Sequence, residues 1–380
     1  MPDAVSPRAV SPGAVVGLLS AEVDVTGPLW ERLAGIPAGL LVSANGRLWI
    51  LAPDDGSGTP TVAERGIGGA GPLCRTATGV LAANPWQLWT FVDVAAGRPA
   101  GFAGHDVALV PQAATTFGSI GVCDVAVDVD GPLLVVGRFD CLGRLDRRHS
   151  FRPVWTPPWT AGFGTGDTEA VGAASNLGGV AVSPGGRAVV SAAGRSAEPN
   201  GWRDGVVGGG VVVSTGGDVL ATGLTLPRQV RAHGSGHLVV ESGTGRLLRL
   251  GPDGGLDVVI EVPAVLTGLD VLGTTAVVGW SAPGEGQTGL PVAEGPAGGA
   301  PARWRGTGVA LIDVATASLV ASARFLGNAE PVVDALLVQG GRRLDLLAPR
   351  GDAANRTVVV GEVDGLPGLG PVRAHAQSPE

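Results

Sequence analysis

The stretch HLVVESGTGRLLRL, residues 237–250, decides the fold. Two runs rich in Val, Leu and Arg flank a Ser-Gly-Thr-Gly turn. Because glycine adopts positive φ at little cost and β-branched side chains pack well on a pleated surface, this pattern predicts an antiparallel β-hairpin. Similar hairpin patterns recur along all 380 residues, which favours one closed array of repeats over two unrelated domains.

An apolar strand of the same type marks each repeat. The marker segments are residues 40–43, 80–84, 133–137, 188–192, 237–241, 275–280 and 343–347. Their spacing, roughly 40 to 70 residues, is typical of four-stranded propeller blades with variable loops. We therefore predict an all-β chain that forms a seven-bladed β-propeller, with six or eight blades as the alternatives.

The blade pattern is fullest in the fifth and fourth repeats. The predicted strands are residues 229–233, 237–241, 246–250 and 257–262 in the fifth, and 179–183, 188–192, 210–214 and 218–222 in the fourth. Long insertions near 193–209 and 282–305 follow the second strands of two blades, and such insertions usually mark the functional face of a repeat scaffold.

The domain organisation follows from the same pattern. We predict a single propeller over residues 20–365, with flexible tails at 1–19 and 366–380. The strand-like segment 21–25 is expected to complete the last blade, 332–363, and so close the ring, which removes the exposed edges of an open sheet.

Composition limits the classes of partner and compartment. A formal net charge of −8 argues against nucleic-acid binding, which needs a concentrated basic surface. No apolar run is long enough to span a membrane, and the N-terminus lacks a signal-peptide pattern. Three widely spaced cysteines fit reduced thiols better than a disulfide framework. We expect a cytoplasmic protein that is a monomer or a small homo-oligomer.

Missing residue types restrict the possible chemistry. The chain has no Lys and no Tyr, so all 26 basic residues are Arg. Schiff-base chemistry on lysine, phosphate-loop lysine chemistry and acid–base catalysis by tyrosine are therefore excluded. Any catalytic group must be Asp, Glu, His, Cys, Ser, Thr or Arg.

Several sequence blocks occur in a fixed order that matches a known family. They are NGRLWIL, QLWTF, HDVALVPQ, RFDCLGRLDRRHSFRPVWTPPW, NGWRDG, LVVESGTGRLLRL, GVALIDVATASLV and RFLGNAEPVVDALLV. From about residue 40 to 334 the chain resembles an uncharacterised bacterial family of conserved hypothetical, propeller-like proteins, known as a domain of unknown function. The resemblance implies a fold and no particular activity.

The chain also departs from that family at polar positions. Cys123 stands where the family tends to have a histidine, and further histidines are replaced within 176–179 and 227–231. The family pattern also changes after Glu330. Residues that match the pattern are His105, Asp106, Asp124, Trp202, Arg203, Arg231 and Arg324. The resemblance thus implies either a different activity or a scaffold that has lost its family's chemistry.

Polar residues are expected to converge at one face of the propeller. The innermost strand of each blade starts at that face, and the loop between the second and third strands opens on it. The strand starts carry Arg75, Asp124, Asn176, Arg228, Arg231, Glu330 and Asp334, and the loops carry Asn84, Arg138, Asp140, Arg195, Trp202, Arg203, Glu241 and Trp280.

This rim predicts a binding site for a small polar or carboxylate-bearing molecule or a peptide. Guanidinium groups bind carboxylates in a bidentate manner, and Trp rings cover apolar parts of a ligand. The predicted ligand-binding residues are Arg138, Asn176, Trp202, Arg203, Arg228, Arg231 and Trp280. In the alternative interpretation these charges pair with one another and line a wet channel.

The candidate catalytic residues are Asp124, Glu241, Glu330, His105, Asp106 and Cys123. Cys123 beside Asp124 suggests a nucleophile, although a buried, inert thiol is the competing interpretation. His105 beside Asp106 suggests an acid–base pair, against a structural hydrogen bond.

Two further histidines, His233 and His237, could share a metal across a tight turn. No third ligand is evident for that pair, and an exposed turn is the competing interpretation.

Three functions remain open. The first is a binding protein that is also a cofactor-independent lyase, isomerase or cyclase, in which Asp124, Glu241 or Glu330 moves a proton while Arg231 or Arg138 holds an anionic group. The second is a non-catalytic binding or scaffold protein, and the third a metal-dependent propeller of the lactonase or epimerase type. No cofactor is expected, and a divalent metal enters only with the third.

Overall fold

The computed structural model of the chain describes most of the predicted propeller. The described residues are 23–44, 46–69, 71–95, 102, 104–146, 150–160, 173–183, 186–282, 304–326 and 331–347. The predicted tails at 1–19 and 366–380, most of the insertion at 282–305 and Glu330 lie outside them. Within the described ranges, no helix has the length and apolar character needed to cross a membrane.

The described strands form six sheets, and these are the blades of a β-propeller. The described chain begins with β1 (Val23–Thr26) and a short helix, α1 (Leu29–Gly35). Blade 1 contains β2 (Ala38–Ala44), β3 (Arg47–Ala52) and β4 (Thr61–Gly66). Blade 2 contains β5 (Leu73–Arg75), β6 (Gly79–Ala83), β7 (Gln87–Asp93) and β8 (Val107–Thr116).

Blades 3, 4 and 5 each have four strands in chain order from the channel outwards. Blade 3 contains β9 (Val122–Asp128), β10 (Gly131–Val136), β11 (Cys141–Leu145) and β12 (Phe151–Trp155). Blade 4 contains β13 (Leu177–Val182), β14 (Ala188–Ala192), β15 (Gly210–Ser214) and β16 (Val219–Leu224). Blade 5 contains β17 (Pro227–His233), β18 (Gly236–Glu241), β19 (Arg246–Leu250) and β20 (Leu256–Glu261).

The remaining strands complete blade 6 and return to the first two blades. Blade 6 contains β21 (Val265–Leu272), β22 (Thr275–Ser281), β23 (Thr307–Asp313) and β24 (Ser318–Phe325). The last two strands are β25 (Val332–Gln339) and β26 (Leu344–Leu346). β25 is the innermost strand of blade 1, and β26 lies at the outer edge of blade 2.

The number of blades differs from the predicted seven. Six of the seven marker segments fall on the second strands of the six blades, β2, β6, β10, β14, β18 and β22. The seventh, 343–347, contains β26, which pairs in parallel with β8 and adds an edge strand to blade 2. The prediction of seven blades is therefore wrong, and the alternative of six is the number found.

The ring closes differently from the prediction for residues 21–25. β1 pairs with β24 and covers the outer edge of blade 6, with Val23 opposite Phe325. The ring is closed instead by β25, which pairs with β2 so that Ser43 lies opposite Asp334. Strands from the early and late parts of the described chain thus share blade 1, and β1 and β26 cover edges that would otherwise be free to pair with other chains.

Apolar side chains fill the seams between blades. Leu29 and Leu33 of α1 are fully buried with side chains of blades 1 and 6, while Leu344 and Leu346 of β26 pack with blades 1 and 2. Burial of apolar surface stabilises a fold by roughly 25 cal/mol per Å², so these seams stabilise the ring. The fold therefore positions six innermost strands around one channel.

The innermost strands are irregular where they start. A shift in pairing register leaves one extra residue near the start of β9, β13, β17, β21 and β25. Such bulges re-aim side chains and are frequent next to functional sites. We call this end of the channel the entrance, and the face on which it opens, which also carries the 193–209 insertion, the insertion face.

Candidate functional site

An ion-pair network crosses the channel just below the entrance. The guanidinium of Arg231, on β17, donates two hydrogen bonds to the carboxylate of Asp124, on β9, with Nη1–Oδ2 and Nη2–Oδ1 distances of 2.7 and 3.0 Å. Its Nη2 also lies 3.7 Å from Oδ2 of Asp334, on β25. Alternate blades 1, 3 and 5 thus meet at one guanidinium. We call these three residues the floor of the entrance.

The carboxylates of the floor also join neighbouring blades. Asp124 accepts a hydrogen bond from the backbone N–H of Val180 in blade 4, at 2.9 Å, and Asp334 accepts one from Leu73 in blade 2, at 2.8 Å. Each aspartate further accepts the N–H of the residue that follows it. Because buried carboxylates need such partners, these bonds give both side chains a structural role.

A second ion pair lies beside the floor. Asp270, on β21, accepts hydrogen bonds from the guanidinium of Arg75 and from the backbone N–H of Leu337, the latter at 2.9 Å. Arg75 also donates to the carbonyl of Leu337 at 2.9 Å. Blades 2, 6 and 1 are therefore tied together in the same manner as blades 3, 4 and 5.

Burial sets the protonation of these groups. Burial raises the pKa of Asp334, and Arg231 only partly opposes the rise. Burial also raises the pKa of Asp270, against the nearby Arg75. For Arg231, burial lowers the pKa, but Asp124 and Asp334 together raise it above its usual range. Burial raises the pKa of the nearby Cys74 thiol to about 12, so this thiol stays protonated at neutral pH.

Above the floor, three strands of the same alternate blades carry different side chains. Arg228 on β17 is half-buried, Cys123 on β9 is partly buried, and Val333 on β25 is 40% exposed. All three occupy the irregular starts of their strands. We call Arg228, Cys123 and Val333 the upper layer of the entrance.

Arg228 and Cys123 approach each other over blade 4. A Cβ added at Gly178 would lie 2.8 Å from the carbonyl oxygen of Pro227 and 3.0 Å from Cα of Arg228, so blade 5 closely covers this glycine. The thiol of Cys123 lies against Gly137, and it donates a weak hydrogen bond to Gly121 O at 3.4 Å. Burial raises the pKa of Cys123 although Arg228 acts in the opposite direction.

Three further arginines of the insertion face are stacked on aromatic rings. Arg138 lies 5.7 Å from the ring centroid of Phe139, and Arg195 lies 5.2 Å from that of Trp159. Arg203 lies 4.6 Å from the ring of Trp202. Stacking holds a guanidinium through its flat face and leaves its N–H groups at the edge free to bind an anion.

These arginines differ from most others in their charge partners. Among the described residues, none of the ion pairs involves Arg138, Arg195, Arg203 or Arg228. The exposed Glu198 and Asp204 lie on the same 193–209 insertion as Arg195 and Arg203.

The insertion itself is anchored to the propeller. Trp202 is buried with Val206 and Leu226, and its backbone N–H donates to the carbonyl of Ala174 at 2.9 Å. Trp159 donates from Nε1 to the hydroxyl of Ser175 at 2.8 Å. The aromatic supports of Arg195 and Arg203 are therefore fixed.

Two buried carboxylates of the face brace its loops. Asp140 accepts the N–H groups of Ala174 and Ser175 at its Oδ2 oxygen. Burial raises its pKa in spite of these bonds. Glu241 accepts the N–H of Thr225 at 2.7 Å and the hydroxyl of Thr244. Asn176 has a left-handed backbone, with φ of 53°, at the start of blade 4.

Several predicted site residues lie away from the entrance. His105 and Asp106 are in the connection between β7 and β8, on the opposite face, where Asp106 pairs with Arg343 and His105 is 4.0 Å from Asp345. Trp280 is fully buried and packs edge-on against Trp304, with ring centroids 5.4 Å apart.

The two histidines weighed as a metal pair, His233 and His237, also lie at the turn on the opposite face, and His237 contacts Ser183. Within the part of the chain that the structure describes, no three His, Cys, Asp or Glu side chains are placed to hold a metal ion.

Sequence reasoning missed Val333, Asp270 and Trp159. A signal for the floor was present, because Val-Cys-Asp-Val at 122–125 and Val-Val-Asp-Ala at 332–335 repeat one pattern with the aspartate at the same place. Val333 itself carries no chemical signal, since only the irregular pairing of β25 places it at the entrance.

Comparison with solved structures finds distant likenesses. The nidogen/laminin complex gives a TM-score of 0.47 at 13% identity, covering 80% of this chain and 99% of that one. A putative 6-phosphogluconolactonase from Bacteroides fragilis gives 0.40 at 13% identity, covering 76% and 82%. Virginiamycin B lyase from Staphylococcus aureus gives 0.37 at 8% identity, covering 80% and 99%. Likenesses this weak say nothing about what this chain binds.

Sequence comparison is more specific about descent. No curated protein matches the chain. A family model matches residues 29–347, which include the innermost strands, the floor and the upper layer of the entrance. The chain belongs to the family described as a domain of unknown function, DUF4915.

Proposed function

We propose that the protein binds a small organic anion at the entrance of the channel and holds its carboxylate on Arg228. The observation that carries the proposal is the charge of Arg228, which is half-buried and pairs with no carboxylate among the described residues. A partly desolvated guanidinium is costly without a counter-charge, and a carboxylate satisfies it with two parallel hydrogen bonds.

The contrast with Arg231 supports this role. Both arginines are on β17 and are three residues apart; Arg231 bonds to Asp124 of blade 3, and Arg228 interacts electrostatically with Cys123 of the same blade. Arg231 is neutralised by Asp124 and Asp334, whereas Arg228 faces the neutral thiol of Cys123. One arginine therefore serves the structure, and the other has bonding capacity for a ligand.

The stacked arginines support the same ligand class. Arg138, Arg195 and Arg203 place three more positive charges on the insertion face, each held by an aromatic ring. They attract an anion towards the entrance even where they do not contact it, and added salt screens this attraction.

Binding without catalysis fits the carboxylates better than proton transfer does. Asp124 is paired with Arg231 and with two backbone N–H groups, and Glu241 is held by Thr225 and Thr244. A general base needs an oxygen that can reach a substrate proton. We therefore propose a binding protein in which neither Asp124 nor Glu241 transfers a proton to or from the ligand.

The proposal is tested by calorimetric titration of the purified protein with butyrate. We expect saturable binding to the wild type and, for Arg228→Gln, a loss of affinity of about tenfold or more, because one charge-assisted hydrogen-bond pair is removed. Raising the ionic strength should weaken binding to the wild type.

Arg152→Gln is the matched control. Arg152 is exposed on the outer strand β12, so its replacement changes the net charge equally and leaves the entrance intact. Equal loss of binding in both variants, or wild-type affinity in Arg228→Gln, would contradict a site at Arg228.

A further inference from the structure

We infer that the entrance selects an anion with a single charged group and an apolar body, such as a short-chain or aromatic carboxylic acid, with the body placed between Val333 and Cys123. This inference rests on the proposed function and specifies the ligand class of the same site. It is carried by the arrangement of the entrance in two layers of opposite character.

The two layers come from the same three strands. On β9, β17 and β25 the upper layer has Cys123, Arg228 and Val333, and the floor has Asp124, Arg231 and Asp334. The floor is made of ionisable side chains that contact one another, while the upper layer has one cation and two side chains of low polarity. A ligand at the entrance thus meets one guanidinium and an otherwise weakly polar wall.

Val333 is available for such contact. It is 40% exposed although it starts the innermost strand of a closed ring. The backbone of blade 6 covers one side of this strand start, since a Cβ at Gly268 would lie 2.5 Å from Cα of Asp334. Blade 2 covers the other side through the bond from Leu73 to Asp334. The open direction is the entrance.

Cys123 continues the weakly polar wall. Its thiol is protonated, because burial raises its pKa, and its hydrogen-bond contacts are with the backbone of Gly121 and Gly137. A free, neutral thiol packs as a small hydrophobic group. An alkyl or aromatic body therefore loses little by leaving water here, whereas a polyhydroxylated body loses hydrogen bonds that Val333 and Cys123 do not replace.

The floor disfavours a second negative charge on the ligand. Asp124 and Asp334 supply two carboxyl groups against the single guanidinium of Arg231, and every polar contact of Asp124 is already made. A dianion that reaches below Arg228 meets the carboxylate of Asp124, whose oxygens already accept hydrogen bonds from Arg231 and from two backbone N–H groups. The second negative charge of the ligand and the carboxylate of Asp124 repel each other, and salt screens this repulsion little because the carboxylate is buried.

The experiment titrates wild-type protein with acetate, butyrate, hexanoate and benzoate, and with succinate, gluconate and hexanamide as contrasts. Affinity should rise from acetate to hexanoate by about twofold to fourfold per added methylene, the upper value corresponding to full burial. Benzoate should bind, while succinate, gluconate and the neutral hexanamide should bind at least about tenfold more weakly than hexanoate.

Two variants locate the effect. Val333→Ser should remove most of the dependence of affinity on chain length while acetate still binds. Val258→Ser is the control: it changes a 54% exposed valine on outer strand β20 and should leave the dependence of affinity on chain length unchanged. Arg228→Gln should weaken every acid of the series, which separates the site from general adhesion of alkyl chains.

The outcomes distinguish the two proposals. If no carboxylate binds the wild type, the proposed function fails and this inference fails with it. If carboxylates bind through Arg228 with the same affinity at every chain length, or if Val333→Ser keeps the full dependence on chain length, the anion site stands and the apolar selectivity is overturned.

Discussion

At the scale of single residues, the chain uses the same side chain for two tasks. Arg231 joins three blades by pairing with Asp124 and lying near Asp334, and Arg228, three positions earlier, has no such partner among the described residues. Removing one member of a buried pair is costly, since it leaves a charge without compensation. This difference in pairing separates the structural arginine from the one that we assign to the ligand.

Asp334 gives the floor a pH dependence that can be measured. Its folded-state pKa is raised from 3.8 to about 7, mainly by burial. The folded state therefore holds this proton more tightly than the unfolded state does. The stabilisation of the folded state by this proton is complete below the unfolded-state pKa and is lost as the pH rises through the folded-state pKa. We expect Asp334→Asn, which stays neutral, to lack this loss.

The measurement is the free energy of unfolding in urea between about pH 4.5 and 7.5 for both proteins. The wild type should lose stability relative to Asp334→Asn as pH rises. Groups common to both proteins, such as His237 and Asp106, cancel in the difference. Asp253→Asn, in an exposed turn of blade 5, serves as control and should parallel the wild type. If the difference in free energy of unfolding between the wild type and Asp334→Asn stays constant with pH, the raised pKa of Asp334 is refuted.

Sequence reasoning reached the floor only in part. It placed Asp124, Arg231 and Asp334 at strand starts that converge on one channel, because the repeat pattern fixes where innermost strands begin. It did not indicate that Arg231 contacts both aspartates while Arg228 pairs with no carboxylate in the part of the chain that the structure describes. That choice depends on distances across the ring, between residues more than one hundred positions apart, which no local pattern encodes.

At the scale of elements, β1, α1 and β26 pack on the outer parts of the blades and add contacts between neighbouring blades. β26 inserts beside β8 of blade 2, and Arg65 on β4 of blade 1 donates to the carbonyl of Leu346 at 2.8 Å and to Asp345 at 2.7 Å. On the other side of blade 1, Arg32 of α1 pairs with Asp313 of blade 6 at 2.9 Å. Both seams of the closing blade are thus held by additional chain.

The bond network of β26 predicts unequal effects for two arginines of blade 1. Arg65→Ala should lower the free energy of unfolding by about 1–3 kcal/mol, because a half-buried carboxylate and a carbonyl both lose a charged donor. Arg47→Ala breaks a pair with Glu64 in which the arginine is 54% exposed, and should cost less than about 1 kcal/mol. Urea denaturation of both variants measures this, and equal effects would contradict the fastening role of β26.

The error in blade number belongs to this scale. Residues 343–347 match the marker pattern because Leu344 and Leu346 are buried as in a second strand, yet they belong to a three-residue edge strand. Local apolar pattern reports that a segment is a strand and which side chains are buried. It does not indicate which sheet the strand joins. Here β26 pairs with β8, which lies more than two hundred residues earlier in the chain.

At the scale of the whole molecule, six blades bring strand starts from alternate blades to one point. The floor joins blades 1, 3 and 5 through Arg231, and Arg75 with Asp270 ties blades 2 and 6 beside it. The channel is thus bridged at its centre, so a ligand approaching from the insertion face meets the upper layer first. The long insertion at 193–209 and the stacked arginines lie on that same face.

The most direct test of the account is a crystal structure of the protein grown with 6-bromohexanoate, whose bromine is located by anomalous scattering. The account predicts six blades, a carboxylate within hydrogen-bonding distance of the Arg228 guanidinium, and bromine beside Val333 with the Arg231–Asp124 pair intact below it. A structure in which the ligand binds elsewhere, or in which the entrance stays empty at saturating ligand while Arg228 pairs with a protein carboxylate, would contradict it.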